Sequence, residues 1–559
     1  MPPRLSAPSL RGLSLQQSPR PLHWQKSRHA ASVSKTAKSA RWRPRVIRAV
    51  GALAGAAVIS VALLPTVALD EAKSTSPLRH SRKTLELEEI QRSIEEEGKT
   101  LCVIDGLIYD LTAFKERHPG GAELIEDNNG KDITALFKGL HKRGTLESNL
   151  SDDDCIGVLA DASPIEVAAA PGASDEVEER RENLPPVETI LNLKTFEELA
   201  KHVLGEESRA WRYFSSWADD GVSFDTTRHS YSCLRFLPRV MIPVREINST
   251  GTFFGWGSPI PVHISPTGQN RQGHPDGEYN ALRAAMATGI PQCVSNGSSV
   301  GVVELLEERT RLQSEEGLAW TPIYAQHYTQ TDRKESERQI KEAVKAGASG
   351  IIVTVDVPAM GNREADRQIK VTKPGEHKQD AGLAAAQISL WDANLKWEDV
   401  QWAQSLAPGK PIIVKGISTV EDVALAKRNG AAGVFLSNHG GRQLEYSPPP
   451  IATLLRLQRE RPDLLRDPNF QVHIDGGIQR GTDVLKALCL GASSVGLGRA
   501  VLYSQTCYGD QGVTRMLQIL TDEVQSGMRL LGAKKVDDLH PGLLELLPSP
   551  DALVGEKLS

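Results

Sequence analysis

His439 and Arg442 lie three residues apart in Leu436-Ser437-Asn438-His439-Gly440-Gly441-Arg442-Gln443-Leu444-Glu445. An imidazole exchanges a proton near neutral pH, and a guanidinium fork holds a carboxylate through two parallel hydrogen bonds. Together they suit a small carboxylate substrate that must lose a proton. The approach, Gly433-Val434-Phe435-Leu436, is apolar. The pair is therefore expected where a buried strand opens into a loop whose glycines let the backbone turn sharply beside a ligand. A solvent-exposed loop with incidental charge would read the same way, so the rest of the chain must decide.

A second pair of candidates lies upstream. His118 begins His118-Pro119-Gly120-Gly121, and His141 follows the amphipathic Ile133-Thr134-Ala135-Leu136-Phe137. Two imidazoles facing each other from separate helix ends could ligate a haem iron axially. Such an iron has no open coordination position, so its task is one-electron transfer.

These groups need elements to position them. Leu101 to Leu111 reads as two short strands around the Asp105-Gly106 turn. Farther on, a pattern of helix, Gly-Ala and apolar strand recurs at Ala346–Asp356, Asn429–His439 and Leu490–Arg499. Continuous apolar runs are expected of parallel strands buried on both faces. Further strands read at 259–265, 292–295, 322–328, 411–415 and 470–475, a total of eight over about 300 residues, which argues for an α/β TIM barrel. A doubly wound sheet is the alternative, but the chain has no GxGxxG fingerprint. Ser295, Gln326, Tyr328, Thr354, Asp356, Lys415, His439, Asp475 and Arg499 all fall at or just after strand C-termini, the face where barrel enzymes place chemistry.

The chain has 559 residues, a net charge of −5, 24% charged and 40% hydrophobic residues. That is ordinary for a multidomain globular protein and gives no sign of a nucleic-acid surface. Cys102, Cys155, Cys233, Cys293, Cys489 and Cys507 form no CxxC pair, which argues against a disulfide framework or zinc site. The first 69 residues hold eleven Arg or Lys and no Asp or Glu, and they end in an apolar stretch from Ala49 to Leu69. This composition reads, over residues 1–80, as a mitochondrial presequence with a sorting segment. It predicts delivery to the intermembrane space, the alternative being a retained inner-membrane anchor. Residues 84–162 read as a first compact domain, 163–187 as a mobile linker, 188–545 as the large domain and 546–559 as a tail.

The first domain resembles the cytochrome b5 family. The match rests on the Asp-Gly-x-x-Tyr-Asp-Leu hairpin, His118-Pro119-Gly120-Gly121, Gly130-Lys131-Asp132-Ile133-Thr134 and the second His at the family's spacing. It implies a small α+β domain binding haem b through His118 and His141. Leu101-Cys102 stands where the family usually has an aromatic residue.

The large domain resembles the FMN-dependent L-2-hydroxy acid oxidoreductases, through residues 437–444, 475–488 and Gly496-Leu497-Gly498-Arg499. The fusion of the two resembles the flavocytochrome b2 family. That resemblance implies FMN and haem b as cofactors, oxidation of an L-2-hydroxy acid to the 2-oxo acid, cytochrome c as acceptor, and a homotetramer. By the same resemblance His439 is the base and Asp356 its partner. Arg442 and Tyr213 hold the substrate carboxylate, Tyr328 its hydroxyl, and Arg363 adds positive charge. Lys415 sits by the flavin. Thr267, Ser295, Gln326, Thr354 and Asp475 complete the flavin site, with Gly477, Gly498 and Arg499 at its phosphate.

Three departures qualify this. Gln479 replaces a phosphate-binding Arg, unless Arg480 substitutes. Phe214 and Trp217 interrupt a run that packs the flavin edge. Gly268 and Gly297 stand where lactate-specific relatives carry Ala and Leu, which predicts a pocket open to larger side chains. Two other classes compete: an oxidase returning electrons to O2, and a haem carrier with an inactive barrel. The haem domain argues against the first, and the retained set of site residues against the second.

Overall fold

The computed structural model describes residues 82–118, 121–160, 164–170, 172–367, 369–373, 376–379, 390–549 and 556–558. The presequence reading, and Pro119-Gly120 of the His-Pro-Gly-Gly motif, lie outside them. No helix among the described residues is long and apolar enough to cross a membrane.

The N-terminal sheet has four strands, Thr84–Leu85, Leu101–Ile104, Leu107–Asp110 and Cys155–Leu159, in the spatial order first, fourth, third, second. Its central hairpin turns at Asp105 (φ 53°) and Gly106 (φ 75°). Two successive left-handed residues make the tight turn that matches strand twist, and Asp-Gly tolerates it at little cost. Both faces of the hairpin are covered: Cys102, Ile104 and Tyr109 pack with Ile125 and Ile133 on one side, Leu101, Val103 and Ile108 with Ile90 on the other. Cys102 is thus a buried apolar residue where an aromatic one was expected. Helix Thr134–Leu140 ends at His141, and the single turn Lys115–Arg117 ends at His118.

The large domain is a closed barrel of eight parallel strands: Val262–Ile264, Gln292–Val294, Ile323–His327, Gly350–Thr354, Ile412–Ile417, Gly433–Leu436, Gln471–Asp475 and Ser494–Leu497. Each strand pairs with its neighbours in sequence, and the eighth closes on the first through Leu497↔Ile264. Phe253, from the short hairpin Gly251–Ser258, packs with Tyr324, Ile352, Ile413 and Phe435, filling the interior beneath the strand C-termini. The base of the barrel is therefore solid, and the C-terminal end carries the site.

Two segments differ from their sequence reading. Residues 163–187 contain helix Asp175–Glu182. Its Arg181 donates from Nε to Thr506 O at 3.0 Å and from Nη2 to Gly172 O at 2.9 Å and Gly273 O at 3.1 Å. A guanidinium gathering three carbonyls ties this stretch to the barrel, which composition alone does not reveal. In 546–559, Glu556–Lys557 pairs with Leu544–Leu546 and Leu558 is buried. The two domains also touch. Lys142 Nζ donates to Asn296 O, and Arg271 Nη1 donates to Lys138 O at 2.6 Å.

Arg181→Ala leaves those carbonyls without their charged donor, at a cost of about 1–3 kcal/mol. Limited proteolysis should then cut faster between 172 and 187, with the barrel core unaffected. Unchanged cleavage would show that the segment is held by other contacts.

Candidate active site

Thirteen of the expected residues line one cavity at the C-terminal end of the barrel: Tyr213, Thr267, Ser295, Tyr328, Thr354, Arg363, Lys415, His439, Arg442, Asp475, Gly477, Gly498 and Arg499. Asp356 and Gln326 stand one layer behind. Asp356 meets His439 Nδ1 through Oδ2 at 3.0 Å and Oδ1 at 3.1 Å. Because a carboxylate only accepts, Nδ1 carries the proton and Nε2 is left as the basic nitrogen. Gln326 Oε1 accepts from Ser295 Oγ at 3.2 Å and from Asn296 N at 2.9 Å.

The loop carrying His439 is under strain. His439 has φ 58°, and Gly440 and Gly441 follow at 68° and 75°. A non-glycine residue there costs about 1–3 kcal/mol. The loop's own amide side chains tie it to neighbouring segments. Asn438 Nδ2 donates to Thr227 Oγ1 at 2.8 Å, and Asn438 Oδ1 accepts from Gly441 N at 3.2 Å. Gln443 Nε2 donates to the backbone oxygens of Asp356 (2.6 Å) and Ala359 (3.0 Å), while its Oε1 accepts from Arg363 Nη2 at 3.0 Å. Gln443 was not singled out from the sequence, although it directly follows Arg442 in the motif. It joins the strand-end loops bearing Asp356, Arg363 and His439.

Charge is concentrated here. Burial pushes the Asp356 carboxyl upward, but His439 and Lys415 outweigh it and hold the group below its ordinary range. Removal from water lowers His439, only partly offset by Asp356, so the imidazole is neutral at pH 7. Burial also lowers Lys415, yet Asp475, 3.1 Å from Nζ, and Asp356 raise it overall and keep it cationic. Burial, then Arg442, lowers Arg363 to about 9. Arg442 lies over the Tyr213 ring at 5.0 Å and donates from Nη2 to Tyr213 O at 2.5 Å and Ser216 Oγ at 3.1 Å; its buried Nε has no partner among the described residues.

The cavity fits a flavin mononucleotide. Gln326 Nε2 and Thr354 Oγ1 are buried polar atoms without partners among the described residues, and Thr354 lies opposite Lys415 in the neighbouring strand. Gly477 has φ 77°, and a Cβ there would lie 2.4 Å from Thr227 O, so only glycine keeps the backbone in place. Gly498 caps the helix that starts at Arg499 and is broken at Tyr508 and Gly509; its N-terminal amides favour an anion.

The histidine pair fits a haem. The rings of His118 and His141 are 6.0 Å apart between centroids. Each Nδ1 faces a carbonyl, Gly121 O at 3.0 Å and Phe137 O at 3.1 Å. A carbonyl only accepts, so each Nε2 is bare and able to ligate iron. Burial lowers both imidazoles, His141 to about 4, which keeps them neutral.

Comparisons with known proteins identify both domains. Residues 200–546 match the FMN-dependent dehydrogenase family, and residues 86–160 match the cytochrome b5-like haem/steroid binding domain. The chain belongs to the FMN-dependent dehydrogenase family. It is an oxidoreductase with FMN and haem as cofactors, similar to flavocytochrome b2. It is 37% identical over 468 residues to the L-lactate dehydrogenase (cytochrome) of Saccharomyces cerevisiae, covering 79% of this chain and 77% of that one. Glycolate oxidase 1 of Zea mays is 35% identical over 63% of this chain and 94% of its own. The flavin-binding domain of baker's yeast flavocytochrome b2 superposes with a TM-score of 0.60 at 35% identity, covering 68% of this chain and 92% of that one.

His118→Ala or His141→Ala should abolish a six-coordinate low-spin haem spectrum while flavin reduction by substrate survives; an unaltered spectrum in either would refute the ligand assignment. His439→Gln should slow flavin reduction by at least ~10²-fold with FMN still bound. In the wild type the rate should fall as pH drops through the lowered His439 value. Asp356→Asn removes the group that raises it, so the acid limb should move to lower pH as the rate declines. Stopped-flow pH profiles check both; an acid limb that stays put or moves up would remove Asp356 from this role.

Proposed function

We propose that this chain oxidises an L-2-hydroxy acid to the 2-oxo acid and delivers the electrons through its haem domain to cytochrome c. The reading is carried by the neutral His439, held through Nδ1 by Asp356, in the same cavity as the unpaired Nε of Arg442. FMN supplies a two-electron acceptor and haem a one-electron relay. Arg442, with the Tyr213 hydroxyl, holds the substrate carboxylate. Tyr328 hydrogen-bonds the hydroxyl. His439 Nε2 takes a proton as the alcohol becomes a carbonyl, and Asp356 stabilises the imidazolium that results. Arg363 adds positive charge near the substrate. Lys415, kept cationic by Asp475 and Asp356, balances negative charge arriving on the flavin side of the cavity.

The substrate side chain is proposed to be larger than a methyl group. Gly268 and Gly297 offer no side chains, and a Cβ at Gly268 would lie 2.8 Å from Gly297 O. Backbone therefore forms that wall. Trp391 lines the cavity too, stacked on Tyr328 at 4.0 Å and paired through its backbone with Gln330. It gives a flat apolar surface suited to an extended or aromatic side chain. Solved relatives include flavocytochrome b2 variants with pyruvate and with benzoylformate.

The acid-free basic leader supports delivery to the mitochondrial intermembrane space, with inner-membrane anchoring as the other outcome of fractionation. The family likeness supports a homotetramer, and the exposed Leu444 and Tyr446 offer apolar surface for self-association; light scattering measures it.

Anaerobic mixing with a panel of L-2-hydroxy acids, followed at the flavin and haem bands, tests the reaction and its specificity. 2-Hydroxyoctanoate and mandelate should match or beat L-lactate in kcat/KM. Gly297→Leu should turn the preference back toward L-lactate by ~1–3 kcal/mol. A wild type strongly preferring L-lactate would refute the open pocket. No flavin bleaching with any member would refute the reaction.

A further inference from the structure

Gln479 leaves the phosphate end of the cavity short of one cation, and the neighbour expected to replace it is committed elsewhere. Arg480 Nη1 bonds Glu523 Oε1 at 2.7 Å, and the other Glu523 oxygen accepts from Gly481 N at 2.6 Å. Arg499 lines the cavity and commits three of its five N–H donors to carbonyls: Phe214 O (3.1 Å), Gly440 O (2.9 Å) and Ser216 O (2.7 Å).

Arg228, from helix Val222–His229, lines the same cavity. A guanidinium only donates, so the amide oxygen of Gln479 must face it, accepting from Nη2 at 2.6 Å and Nε at 2.9 Å. Glu197 holds the same Nη2 group. Nη1 is left without a protein partner among the described residues. Phe224 organises the cluster. The guanidinium carbons of Arg228 and Arg499 each lie 4.8 Å from its ring centroid, and Trp217 stacks on it at 5.2 Å. The two cations are close enough for Arg228 to depress Arg499, which burial lowers to about 10. Like charges brought together beside Gly477 and Gly498 call for an anion. Glu197 offsets only part of that charge, and Lys194, also on the cavity wall, is 3.7 Å from Glu198.

We propose that Arg228 is a phosphate-binding residue of the FMN site, supplying with Arg499 the charge absent at position 479, while Gln479 positions its guanidinium. This rests on FMN being the cofactor and not on the choice of substrate.

Riboflavin, which lacks the phosphate, separates the two parts of the site. The full chain stripped of flavin is titrated with FMN and with riboflavin, following quenching of flavin fluorescence. Arg228→Gln should weaken FMN at least about tenfold and riboflavin little, since a charge-assisted bond is lost only to the phosphate. Arg480→Ala should change neither. Adding Gln479→Arg to Arg228→Gln should restore FMN binding. An unchanged FMN-to-riboflavin affinity ratio in Arg228→Gln overturns the proposal, as does an equal loss of both flavins. Should that variant not fold, phenylglyoxal labelling of the wild type with peptide mapping decides. FMN, and not riboflavin, should protect Arg228, and equal labelling under the two flavins overturns the assignment.

Discussion

The pairing of Asp356 with His439 Nδ1 is the interaction around which the top of the barrel is arranged. It selects the imidazole tautomer, keeps the opposite nitrogen basic and counters the desolvation that would otherwise depress the histidine further. It forms only if His439 accepts a left-handed backbone conformation, so the neighbouring loops must supply stabilisation. Gln443 and Asn438 do this with neutral amides. An amide both donates and accepts, and it can join three loops without adding charge to a site already holding Lys415, Arg363, Arg442 and two carboxylates. Replacing either by a charged residue would disturb the same balance that keeps His439 neutral.

The same economy governs the cations. Arg442 and Arg499 each give donors to backbone carbonyls of the segment 213–216, so this stretch is fixed by residues on the far side of the barrel. The unusual Phe214 is completely buried and contributes its carbonyl to this network, while Trp217 supports the Phe224 ring. What looked in the sequence like an interruption of a flavin-packing run is, in space, part of an aromatic and arginine scaffold.

Much of this was legible in the residues. Three of the eight strands declared themselves through a repeated Gly-Ala followed by an unbroken apolar run, as parallel strands buried on both faces require. His118 and His439 stood out because each is followed closely by a glycine pair that marks a sharp turn, and His141 because it ends an amphipathic stretch. Other features leave no local mark. Arg228 lies on a polar helix face, and nothing in Thr226-Thr227-Arg228-His229 distinguishes it from a solvated surface. Its meaning depends on Gln479, far away in sequence. The contact of Lys142 with Asn296 spans 154 residues, and Arg181 reaches carbonyls up to 325 residues away. Acceptors of that kind are backbone atoms, which sequence patterns do not encode. The linker reading rested on Ala, Pro and Glu content, which carries no trace of the carbonyls that Arg180 and Arg181 reach.

The glycine wall beside Tyr213 constrains how this pocket can change. A side chain at Gly268 meets the Gly297 carbonyl before it meets any substrate. Mutation there must shift a main chain, and it is felt first as misfolding of the strand-end loop and only afterwards as altered selectivity. Variation in the side chains that line the cavity, such as Val357, Met360 and Trp391, does not meet this obstacle. A lineage carrying this glycine pair has few single-step routes to a narrower diet, and a laboratory search for sharper discrimination should spread its library across the rim.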